Sequence, residues 1–153
     1  MKNEKGTRTH PMDVLISITG TQTAGDESDT IELTTTGCME SLPDGYLLTY
    51  DESTSTGMEG VVTSMRVKDA EVMLERSGAM NSLLILEKGR RHICSYDTGY
   101  GQLTMGVYTK ELHNRLCDKG GELDFHYTLD INSGVASSHA VHVTVRQIEA
   151  YPS

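Results

Sequence analysis

The sequence predicts an all-β fold of about ten short antiparallel strands, rolled into a closed barrel or stacked as a sandwich, with little or no helix. Three observations lead there. Apolar and polar residues alternate with a period of two along most of the 153-residue chain, the pattern of half-buried strands. Turn residues, above all Gly, Pro and Asp, separate these runs at short intervals. Helical spacing shows only in "KELHNRLCDKGG" (110–121), where Leu112 and Leu116 stand four apart before a Gly-Gly stop. A strand end followed by a long loop fits that stretch equally well.

The elements follow in order. Residues 1–11 are polar, end at Pro11 and read as a flexible tail, which leaves 12–153 as a single domain. "DVLISITGTQ" sets Val14, Ile16 and Ile18 on one face and Asp13, Ser17 and Thr19 on the other. "TIELTTTGCM" resumes the pattern after the turn-rich "AGDESD". "LPDG" (42–45) is a turn in which Pro presets φ and Gly is expected to take a positive value. "YLLTYDE" then aligns Tyr46, Leu48, Tyr50 and Glu52. "STSTGMEG" is a polar break before "VVTSMRV", "EVMLER" and "SLLILE", the last apolar on both faces. The "KGR" turn leads to "RHICSY", and "TGYG" leads to "QLTMGVYT". The closing pair is the clearest: "LDFHYTLDI" and "AVHVTVRQI" alternate without interruption.

The totals narrow the functions. With 13 basic against 22 acidic side chains the formal charge is −9, and no positive footprint for nucleic acid or an anionic membrane is visible. The densest basic spot, "KGRR" (88–91), reads as a solvated hairpin tip. Cys38, Cys94 and Cys117 cannot all pair within the chain, and their spacing fits no zinc signature. Free thiols and the lack of a secretory h-region point to the cytoplasm. One Phe and no Trp leave the eight Met to fill part of the core.

In this order, "LLTYDES", "GVVTSMRV", "VMLERSG", "LLILEKG", "SYDTGYGQLTMGVYT" and "GGELDFHYTLDIN" resemble the YwiB-like proteins of Firmicutes, from about residue 12 to 149. These are small bacterial β-barrels of unassigned function. The resemblance implies an antiparallel calycin-like, lipocalin-type barrel of about eight to ten strands, and it implies no ligand. One departure is Gly99, where the family often has Pro. The Gly-x-Trp signature of true lipocalins is missing.

Several residues carry chemistry. "RHICSYDTGYG" offers His92 and Cys94, but side chains at i and i+2 of a strand stand about 7 Å apart, too far for a nucleophile–base pair. The stretch therefore reads as two strands and a bend, with Cys94 a core-facing thiol. The "GYG" lacks a following helix to reinforce phosphate binding. His126 and His142 share a face with Asp124 and Asp130, a weak metal spot that alternating solvent-facing residues explain as well; no metal and no cofactor are expected. More telling are polar residues ending apolar rows: Tyr50 and Glu52, Arg76 after Val72 and Leu74, Thr109 after Met105 and Val107, with Tyr96, Thr98 and Tyr127 nearby. In a barrel such positions face the interior or its mouth, where a charge must be paired or hydrated.

Tyr50, Glu52, Arg76, Tyr96, Thr98, Thr109 and Tyr127 are thus the candidate ligand-binding set, with no catalytic residue assigned. The expectation is a non-enzymatic barrel holding a small, partly apolar molecule in its interior, a reading that a connected space under about 300 Å³ would remove. The alternatives are a plugged barrel serving structure or protein interaction, homo-oligomeric through an exposed strand, and a small enzyme using Glu52 and Arg76 or Cys94.

Overall fold

The computed structural model describes residues 11–52, 59–79, 81–97, 100–131 and 134–148, except for the side chains at 96, 97 and 135. Ten strands run β1 (Met12–Ala24), β2 (Glu27–Leu42), β3 (Gly45–Asp51), β4 (Val61–Val67), β5 (Glu71–Gly78), β6 (Ser82–Glu87), β7 (Arg91–Asp97), β8 (Gln102–Cys117), β9 (Gly120–Ile131) and β10 (Gly134–Gln147). Each pairs antiparallel with the one before it, and β10 pairs with β1 to close the barrel. This is the predicted all-β architecture, and no helix occurs among the described residues. The expected tail falls almost wholly outside them.

The candidate helix is a strand. Residues 110–117 lie inside the 16-residue β8, paired with β9 from Gly106↔Asp130 to Cys117↔Gly120. The helical look has a physical source. The register shifts between Thr109 and Glu111, so one extra residue, Lys110, switches the buried face from odd to even positions. Thr109 and Leu112 are both buried as a result. Because four is even, Leu112 and Leu116 also share a strand face.

The alternating rows turn inward as their period requires. Val14, Ile16, Met39, Leu48, Val67, Val72, Leu86, Val107, Leu123 and Val143 are fully buried, and Met39, Met65 and Met105 pack among them. These side chains form one apolar core. "SLLILE" proves one-sided: Leu84 and Leu86 are buried while Leu83 is 38% exposed. In "RHICSY" Cys94 is buried and Ile93 lies outside. The "KGR" tip is exposed, with Gly89 at φ 78°. Gly45 departs from expectation. It is not among the glycines with positive φ; a Cβ there would run into the Val67 carbonyl, so closeness of chains requires it.

The wall is uneven. β2 pairs with β1 along Glu27–Met39 but with β3 only over Cys38–Leu42. The β1–β2 hairpin and the start of β10 therefore rise above the short strands β3 to β7 as an arm beside one mouth. Among the described residues the thinnest join lies between β6 and β7, registered at Ser82↔Tyr96 alone. Below it Lys88 bridges to Thr109 of β8.

Candidate functional site

Where the arm meets the mouth, the walls enclose an open cavity of about 260 Å³. Its apolar side comes from inward positions of the arm and β10: Ile18, Leu33, Ile31 and Val141. Gly20 lies between them, paired with Val141 on one side and Ile31 on the other. A Cβ built there meets nothing within 4 Å, so the missing side chain contributes to the space.

Polar groups line it from the arm, at Thr21, Gln22 and Asp29, and from the mouth, at Tyr50, Glu52 and Arg76. Tyr50, Thr63 and Arg76 are cross-strand neighbours in one row, and Glu52 follows at the end of β3, its backbone N–H donating to Val61 O. The Thr63 hydroxyl donates a short hydrogen bond to Glu52 Oε2. Arg76 Nε stands 3.9 Å from the same oxygen. The Glu52 side chain is 2% exposed and that of Arg76 23%, so a buried carboxylate is held by a guanidinium that still reaches the cavity. Arg76 Nε itself is buried without a hydrogen-bond partner among the described residues.

Local fields follow from this placement. Burial, reinforced by the Glu52 charge, pushes the Tyr50 phenol well above its ordinary range. Burial also raises Tyr127, with the Arg76 charge working against it. His139, on the β10 wall, stacks on Tyr127 with ring centroids 4.8 Å apart and accepts or donates at Ser137 Oγ, 2.8 Å away. Burial, then the neighbouring His126, lowers its pKa, which keeps the ring neutral near pH 7.

Of the candidate set, the structure brings Tyr50, Glu52 and Arg76 to the cavity. Tyr127 stands behind His139 and touches the site through that ring and through Arg76's field. Thr109 is fully buried beside Tyr127, off the cavity, its hydroxyl unpartnered among the described residues. Thr98 lies outside the described residues, and Tyr96 is described in its backbone alone. Sequence reasoning missed Thr63 and His139. Thr63 interrupts the apolar row Val61–Met65 and His139 precedes the row Val141–Val145, and the rule that singled out Glu52 and Arg76 would have found them.

The cavity at the mouth, at about 260 Å³, lies under the roughly 300 Å³ at which drug-sized sites begin, and its lining is mainly apolar with a polar end. For the enzyme alternative, Cys94 is buried in the core and is not among the residues lining this cleft.

Fold and site together define an up-and-down β-barrel with an apolar core and a small amphipathic cavity at its mouth. The chain belongs to the family described as "Domain of unknown function (DUF1934)", which matches residues 16–143. It is similar to the uncharacterized β-barrel protein YwiB of Bacillus subtilis (strain 168), at 27% identity over 117 residues, 76% of this chain and 80% of that protein. The crystal structure of the ywiB protein from B. subtilis shares the fold with a TM-score of 0.81 at 21% identity, covering 91% of this chain and 94% of that one. The resemblance carried by the six sequence pieces and these likenesses agree.

Proposed function

We propose that this barrel is a non-enzymatic binding module that takes a small, partly apolar molecule in the cleft between the β1–β2 arm and the mouth. One observation carries the reading: Arg76 brings a half-buried guanidinium, its Nε without a hydrogen-bond partner among the described residues, to a space whose apolar walls are Ile18, Leu33 and Val141. A neutral imidazole, His139, forms part of the same wall. An occupant of one ring or a short chain, carrying a carbonyl or carboxylate, matches that lining.

Gly20 supplies the test. Its position is open and extended, so Gly20→Leu fills the cleft without strain. Benzoate, indole and hexanoate titrated into ¹⁵N-labelled protein are expected to shift amides of Gly20, Ile31, Arg76 and Val141 in the wild type and not in Gly20→Leu. Shifts unaffected by Gly20→Leu, or no shifts with any probe at millimolar concentration, overturn the reading.

The plugged-barrel alternative draws on a specific observation too. Tyr50, Thr63 and Arg76 all satisfy Glu52 and close the floor of the cleft. On that reading Gly20→Leu stabilises the fold and changes nothing else.

A further inference from the structure

A second cluster lies on the opposite face of the sheet, on the outer wall. Reading the registers across β1, β10, β9 and β8, one outward row runs Thr19, His142, Asp124, His113. The row on one side runs Thr21, Ala140, His126, Glu111, and that on the other Ser17, Thr144, Glu122, Arg115. Asp124 is therefore flanked by imidazoles on both neighbouring strands. His142 Nδ1 contacts Asp124 Oδ1 directly. One ligand atom from each of Glu122, Asp124 and His142 lies within 4.8 Å of the others. Small residues, Thr19 and Ala140, leave a depression of about 270 Å³ in the wall there, also lined by His113, His126 and His142.

Asp130 does not join this cluster, although it shares their sequence face. It is taken by Arg91, which donates from Nε at 3.0 Å and Nη2 at 2.6 Å. The cluster has a cation of its own: Arg115 Nη2 donates to Glu122 and Asp124, each at 3.2 Å. That side chain is 61% exposed, so it can leave without disturbing the wall.

We propose that His142, Asp124 and Glu122, with His113 on the far flank of Asp124, bind one divalent transition ion of the Zn²⁺ class, and that Arg115 competes with it for the carboxylates. Mixed imidazole and carboxylate donors suit borderline ions such as Zn²⁺, Co²⁺ and Ni²⁺; Ca²⁺ and Mg²⁺ favour oxygen alone. The proton now shared between His142 Nδ1 and Asp124 Oδ1 would be released as the ion takes its place between them, so affinity rises with pH. The net charge of −9 adds a favourable long-range field.

The test is Zn²⁺ titration of the full chain, without a polyhistidine tag, against a chromophoric competitor. A Cys117→Ser background removes the exposed thiol. One equivalent is expected to bind, with His142→Ala and Asp124→Asn each weakening it about 10- to 100-fold and Arg115→Ala tightening it. His92→Ala serves as control: that imidazole also meets a carboxylate, Glu87 at 2.9 Å, outside the cluster, and its loss should leave affinity unchanged. All four positions are exposed or half-buried, and melting curves check that the variants fold. Unchanged affinity in His142→Ala or Asp124→Asn overturns the site, as does the absence of one-equivalent binding. An Arg115→Ala protein that binds no more tightly overturns the carboxylates as ligands.

Discussion

Removing Arg76 tests whether the floor of the cleft is one electrostatic unit. At 3.9 Å and an effective dielectric near 20, the attraction between Arg76 and Glu52 is about 4 kcal/mol. Desolvation of both partners offsets much of this in the wild type. Arg76→Met keeps the alkyl stem and takes the guanidinium from the Glu52 carboxylate, which keeps the Thr63 hydroxyl among its supports. Breaking a fully buried pair from one side costs about 3–5 kcal/mol; with Arg76 still 23% exposed, about 2–4 kcal/mol is expected. Glu52→Gln in the same chain removes the carboxylate charge, so the double variant should recover roughly half that loss. Urea denaturation at pH 7.5 measures all four corners of the cycle. Additivity within about 0.5 kcal/mol would mean the two side chains act independently, and the account of the floor given above would fail.

Alkaline titration offers a second check. Tyr50 and Tyr127 have folded pKa values raised above the ordinary phenol range. Their stabilising contribution is therefore intact below about pH 10, where the unfolded phenols begin to ionise, and is lost as pH rises toward the folded values. Absorbance at 295 nm should show both phenols silent until the barrel unfolds, and Tyr50→Phe should flatten the alkaline loss of stability. His139 moves the opposite way: its lowered pKa makes stability fall as pH drops below about 6.5, and ¹H–¹⁵N spectra should find its ring neutral at pH 6.5. In β6, Leu86→Ala should cost about 2–5 kcal/mol and Leu83→Ser less than about 0.5 kcal/mol; a large loss at Leu83 would reveal a partner copy, which sedimentation at two concentrations would display. Gly106→Ala should expel the Arg91 guanidinium that lies over it and return the Asp130 carboxyl, now held low by Arg91, to its ordinary range in an NMR titration.

Most of the barrel was legible because a two-residue period leaves little choice of buried face. Val14–Ile16 and Leu123–Phe125–Tyr127 could turn only one way. The reading faltered where that period breaks. Lys110 inserts one residue into β8, and a local bulge imitates a helix in the pattern of its neighbours. The mouth was half legible for a related reason. Glu52 and Arg76 stood out as charges in apolar rows, whereas the apolar wall of Ile18, Leu33 and Val141 looked like ordinary core. That these side chains overhang the mouth depends on β2 outrunning β3, a difference in strand length that no local pattern carries. The outer cluster needed registers: His113 stands opposite Asp124 only after the β8 bulge has shifted the pairing, and its ring contacts Glu111.

The single registered pair between β6 and β7 has a bearing on how this molecule breathes. A cylinder of hydrogen-bonded staves yields first at its least-stitched joint, since opening there sacrifices the fewest bonds. Hydrogen exchange should accordingly run fastest along Leu84–Leu86 and Ile93–Ser95 among the barrel's inner strands.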